Sequence, residues 1–215
     1  MATGSIFDDL PEDGRHARRH RSRDLVVDAL LDLLSEGVVR PTAQQVAERS
    51  GVSLRSIFRI FDDVETLHAA AATRQLSRVR HLFVDVAAVG SLPDRVSTMV
   101  DINARLYESV APVRRAALRA APESGPLREQ LQGVRRWLRA EIDRVFDAEL
   151  AAHPDGSTAA AVEALLSFET WDQLRVAQGL SAPAAAHVVH AAVLTLLGAA
   201  PGPRTAAVSR SIRRA

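Results

Sequence analysis

The stretch TAQQVAERSGVSLRSIFRIF, Thr42 to Phe61, carries two helix starts and one stop within twenty residues. Thr42 and Gln45 have the three-residue spacing of a capping box, so a short helix of about two turns opens there with Val46 and Ala47 facing inward. Gly51 ends that helix and permits a tight turn, which Val52 plugs. Ser53 caps a third helix, on which Ile57 and Phe61 fall on one side while Arg55, Ser56, Phe58 and Arg59 occupy other faces. Two short helices joined in this way form a helix-turn-helix, whose second helix enters a DNA major groove.

Upstream, Asp24 to Ser35 places Val26, Val27, Leu30, Leu31 and Leu34 at helical spacing, and Gly37 follows where a left-handed residue is wanted. This is the expected first helix. Before it, Arg15, Arg18, Arg19, Arg21 and Arg23, with His16 and His20, make a basic run free of acids, preceded by an acidic, aperiodic leader. Downstream, Asp62 and Glu65 again have capping-box-like spacing and open a fourth helix through Leu67, Leu76, Val79 and Leu82.

Composition narrows the class. The 215 residues are 47% hydrophobic and 25% charged with a formal net charge of +1, an ordinary balance for a soluble chain able to bury a sizeable core. There is no cysteine, which excludes disulfides, thiolate metal sites and a cysteine nucleophile. All 27 basic residues are arginine. Strand signals are scarce, and the fold is expected to be all-α. No signal peptide or membrane-spanning run is read, so a cytoplasmic location is expected.

The residues from Arg23 to Leu67 resemble the TetR family of transcriptional regulators. The pattern stands here as Ala29, Gly37, Thr42, Val46-Ala47, Gly51-Val52-Ser53, Ser56-Ile57-Phe58, Phe61 and Glu65-Thr66-Leu67, in order and in register. Ser167 to Ser181, SFETWDQLRVAQGLS, is also similar to a segment of some actinobacterial members. The resemblance implies an N-terminal three-helix helix-turn-helix domain followed by an α-helical ligand-binding and dimerisation bundle. It implies a DNA-binding domain over 23–68 and a regulatory domain over 69–200, while composition and charge give a flexible leader and basic arm over 1–22 and a flexible basic tail over 201–215.

Three positions depart from the family. Phe58, Ile60 and Val64 stand where members commonly carry Tyr, His and Lys, donors to phosphate, and phosphate contacts supply much of the affinity for DNA. Arg55, Arg59 and the arm residues Arg15, Arg18, Arg19, Arg21 and Arg23 are the available substitutes. Arg55 and Ser56 lie in the first turn of the third helix, beside Ser53 and Leu54, the end that normally faces base edges. For Arg55 a bidentate guanine contact, a phosphate contact and a solvated arginine all remain open. Thr42 suits a phosphate, although capping alone explains it. Phe58 suits a sugar or a thymine methyl.

In the later chain, helices are expected over Asp94–Val110, from Pro112, over Leu127–Ala151, over Ser157–Gln178 and over Pro183–Ala199, the last capped by Ser181. The final one, AAAHVVHAAVLTLLGAA, is apolar on more than one side, which suits a covered face. By resemblance, the last two long helices form a homodimer, and two recognition helices then read a pseudo-palindromic double-stranded DNA operator. The resemblance also implies a bundle cavity for a small organic effector, with Met99, Asn103, Tyr107, Trp137, Phe168 and Trp171 as candidate lining, though core packing accounts for each singly. Asn103 is the most informative, because an amide on an apolar face needs a partner.

No cofactor is expected, and catalysis is not expected either. His187 and His190 supply too few ligands for a metal, His16 and His20 sit in a basic arm, and no GxSxG, phosphate loop or carboxylate constellation occurs. The rival reading is a dimeric small-molecule binder or scaffold with weakened DNA binding.

Overall fold

The structure, a computed structural model, describes residues 14–83 and 86–198. The leader expected before Gly14, the side chain of Arg15 and the tail over 201–215 lie outside the described residues. Among the described residues, ten α-helices account for most positions and no strand occurs, as an all-α fold requires.

The first four helices follow the capping signals. Helix α1 spans Gly14–Ser35, α2 spans Ala43–Ser50, α3 spans Leu54–Ile60 and α4 spans Val64–Val79. Gly37 and Gly51 both take positive φ, +90° and +68°, the conformation that ends a helix most cheaply at glycine. The Thr42 cap forms as a full capping box: the Gln45 amide N–H donates to Thr42 Oγ1 at 3.2 Å, and the Thr42 amide donates to Gln45 Oε1 at 2.9 Å. Ser53 Oγ accepts from the Ser56 amide at 3.3 Å. The fourth helix is capped by Asp63 rather than Asp62. The Thr66 amide donates to Asp63 Oδ1 at 2.6 Å, and two adjacent aspartates offer caps that periodicity cannot separate.

The basic run expected to be a flexible arm over 1–22 is helical from Gly14, in one piece with the apolar turns that follow. Alanine and arginine are good helix formers, so propensity does not oppose the extension. Apolar periodicity failed to find it because Ala17 to Arg21 is exposed and carries no buried face.

The chain divides into two compact units. One runs through Phe83 and resumes over Glu108–Val134; the other takes up Val84–Tyr107 and Arg135 onward. In the first, Val26, Leu30, Leu31 and Leu34 of α1 meet Val46 of α2, Ile57 and Phe61 at α3, and Leu67 and Ala71 of α4. Val113 and Ala116 join the same core from α5, which spans Leu92–Ala120. Val52 packs against this core, as its place in the turn suggested.

Helix α5 is continuous through Pro112, where a break was expected. A proline inside a helix forfeits one backbone hydrogen bond, and burial of Ala111, Val113, Ala116 and Ala117 around it offsets that loss. Helix α6 spans Gly125–Val145 and α7 spans Asp147–Leu150, so the helix expected over Leu127–Ala151 is interrupted at Phe146, which is wholly buried.

The first of the two long helices expected to form the dimer face is also divided. Its parts are α8, Ser157–Leu165, α9, Phe168–Asp172, and a π turn, Gln173–Ala177. Ser167 makes the break: its backbone is extended and its Oγ accepts from the Thr170 amide at 3.2 Å, so it caps a new helix within an alanine-rich run. Helix α10, Ala182–Gly198, is unbroken, and the Ala184 amide donates to Ser181 Oγ as expected of its cap. It packs along α8 with Ala185, Val189, Val193 and Leu197 inward.

Candidate nucleic-acid interface

Helix α3 is held by its inner side. Ile57 and Phe61 are 3% and 2% exposed, and Ile60 packs against the same core, so none of the three is turned outward. The other side carries two adjacent rows at four-residue spacing, Leu54 with Phe58 and Arg55 with Arg59, all exposed. Arg55 and Arg59 have no ion pair or hydrogen bond, so their guanidinium groups are free to take an anion or a base edge. Ser53 and Ser56 are already engaged: besides accepting from the Ser56 amide, Ser53 Oγ donates to Ser56 Oγ at 3.0 Å.

Thr42 is engaged too. Its hydroxyl accepts from the Gln45 amide and donates to Gln45 Oε1 at 3.1 Å, so capping uses both capacities of the group that was read as a phosphate donor. Beside it stands Arg40, exposed and without a partner, which the sequence reading passed over. Its signal was available: an arginine two residues before a helix cap is well placed for an anion at that helix start.

The early turns of α1 add further cations. Arg18, Arg19 and Arg21 are exposed and unpaired. Arg23 differs, because its guanidinium lies over the Phe61 ring, 5.2 Å from the centroid, and so ties α1 to the end of α3. Arg19 precedes Arg23 by one helical step of four and shares its face. Three other arginines of this unit are neutralised by carboxylates. Arg49 grips Glu36 with two bonds of 2.7 Å, which holds the Glu36 carboxyl below its ordinary range, while Arg74 and Arg78 both bond Asp28.

Within the second unit, Met99, Asn103 and Tyr107 succeed one another at four-residue spacing on α5, and all are buried. The Tyr107 hydroxyl donates to the Leu166 carbonyl at 2.6 Å. Its ring meets Phe168 edge-on at 5.7 Å and Trp171 at 6.4 Å, so three of the six candidate effector residues form one aromatic cluster. Asn103 is 4% exposed, and its Nδ2 has no hydrogen-bond acceptor in the protein. Trp137, on α6, is half-buried.

No family model matches the chain, and no curated protein matches it either. Among solved structures, the chain is similar to the multidrug binding protein EbrR, determined as a complex with imidazole. The TM-score is 0.59 at 19% sequence identity, with 94% of this chain and 100% of that chain covered. What the two share is a fold. EbrR resembles this protein over nearly its whole length, including the segments on either side of the helix-turn-helix. Among the described residues, no helix is long and apolar enough to cross a membrane.

Proposed function

We propose that this protein is a cytoplasmic, ligand-responsive transcriptional regulator that binds a pseudo-palindromic operator as a homodimer and acts as a repressor. The observation that carries the reading is the outer side of α3, where Arg55 and Arg59 stand exposed and unpaired on the second helix of a helix-turn-helix. Arg18, Arg19, Arg21 and Arg40 extend the same chemistry along phosphates.

A second copy is the natural cover for the exposed face of α10. Val188 on α10 and Val176 in the preceding π turn are 44% and 61% exposed, next to small residues such as Ala191. The effector is read as a small organic molecule bound at Met99, Asn103, Tyr107, Trp137, Phe168 and Trp171. The orphan amide of Asn103 supports this, because a ligand acceptor would satisfy it. Repression is relieved when the ligand favours a conformation unable to hold both half-sites.

The experiment is selection of duplexes from a random pool by the full chain, followed by titration at several salt concentrations and sedimentation. An enriched two-fold symmetric site bound by a dimer, with affinity falling steeply in salt, is the expected result. A dimer that enriches no duplex at low salt establishes the rival reading, a small-molecule binder or scaffold, which the exposed and donor-free Phe58 and Val64 favour.

A further inference from the structure

Leu54 and Phe58 leave 37% and 54% of their surface in solvent on a helix of only seven residues. The folded chain leaves the gain of burying them unrealised, while the core side of the same helix is closely packed, so a complex that covers them would collect it. The row is narrow, two side chains long, and is bordered by Arg55 and Arg59. A specific protein partner needs about 800 Å² on each side, usually with few charges at its centre, which this row does not offer. Nor can either side chain donate to a phosphate.

The DNA major groove presents one apolar group, the C5-methyl of thymine, in the same plane as the acceptor atoms of guanine that an arginine reads. We propose that Leu54 and Phe58 are specificity-determining residues that read thymine methyls, at operator positions next to the one addressed by Arg55. The inference rests on the DNA-binding reading above and gives that site a sequence preference. Phe58 in place of a phosphate donor thereby exchanges general affinity for discrimination: a phosphate contact is the same at every base step, whereas contact with a methyl distinguishes thymine from cytosine and uracil.

Uracil provides the probe, since it pairs as thymine does and lacks only the methyl. Duplexes enriched by the full chain are remade with uracil at single thymines, and binding is measured by fluorescence anisotropy at fixed salt. Binding is expected to weaken about fourfold for each contacted methyl that is removed, the value of one buried carbon. In Phe58→Ala and Leu54→Ala the thymine duplex should fall to the level of the uracil duplex, each variant at its own position. Both side chains are exposed, so the variants should keep the wild-type melting temperature, which is measured alongside.

Equal binding of thymine and uracil duplexes by the wild-type chain overturns the inference while leaving operator binding intact. So does a preference for thymine that survives both substitutions, or an enriched site without thymine. A change of oligomeric state in Phe58→Ala assigns the ring to a protein contact instead. Failure to enrich any duplex removes the DNA-binding reading and this inference with it.

Discussion

Around α3, Arg55 and Arg59 extend into solvent without a carboxylate, whereas in the second unit Arg95 closes on Glu149 at 2.5 Å with side chains only 10% and 17% exposed. Arg95 also donates to the Val145 carbonyl and lies over the Phe146 ring. Nearby on the chain, Arg135 and Arg139 share Glu163, and Arg144 pairs with Glu141. The chain uses one basic residue throughout, so the difference lies in what stands within reach. A guanidinium beside a shielded carboxylate fixes the fold, and one without a partner retains its five donors for something outside it.

Five variants test that contrast, beginning with the largest effect. Replacing Arg18, Arg19 and Arg21 together by alanine should flatten the salt dependence of DNA binding by about 0.9 log–log units for each phosphate left unneutralised, which at moderate salt weakens affinity by orders of magnitude. Melting should be unaffected, and an unchanged slope would assign these residues to solvent. Glu149→Ala is expected to do the reverse, destabilising the fold by about 3 kcal/mol in chemical denaturation because Arg95 is left without its partner. A destabilisation much below about 1 kcal/mol would make the pair ornamental.

Arg55→Ala should cost about 1–3 kcal/mol of binding and relax preference at one operator position, with stability unchanged. Uniform weakening on every sequence would point to a phosphate contact. Thr42→Ala removes the capping box and should cost about 1 kcal/mol of stability, readable as a lower melting temperature. If binding falls further than stability does, the hydroxyl also meets DNA.

The smallest effect concerns His68, half-buried on α4 within the first unit. Burial, and secondarily the Arg119 guanidinium, hold its imidazole below the ordinary range. The unfolded chain therefore takes up a proton first as pH falls through about 6.5, and stability declines below that point and is complete above it. Wild type should lose melting temperature more steeply than His68→Gln as pH is lowered from about 7 to about 5.5; parallel profiles would show that the group does not contribute.

Much of the first unit was legible because its signals are local. A capping box needs Thr42 and Gln45, a left-handed stop needs Gly51, and the short helix α3 shows its inner face through Ile57 and Phe61. The later bundle was less legible. An alanine-rich run carries helical propensity at almost every position, so nothing short of the packed structure announces that Ser167 caps a new helix or that α5 passes through Pro112. In the candidate effector cluster, sequence identified Tyr107, Phe168 and Trp171 singly, and only packing brought the three rings together across about sixty residues.

By itself, then, the sequence determined the all-α class, the turn at Gly51 and the helix that faces outward, since each depends on residues within a few positions of one another. For the pairs that span the chain, tertiary structure decided which arginines are neutralised, whereas Arg139 with Asp143 and Arg144 with Glu141 pair within one helical turn. Glu149 lies 54 residues from Arg95 and Asp28 lies 46 from Arg74, and no local rule selects a partner at such range. Charge pairing follows distance in space, and the packed helices set that distance.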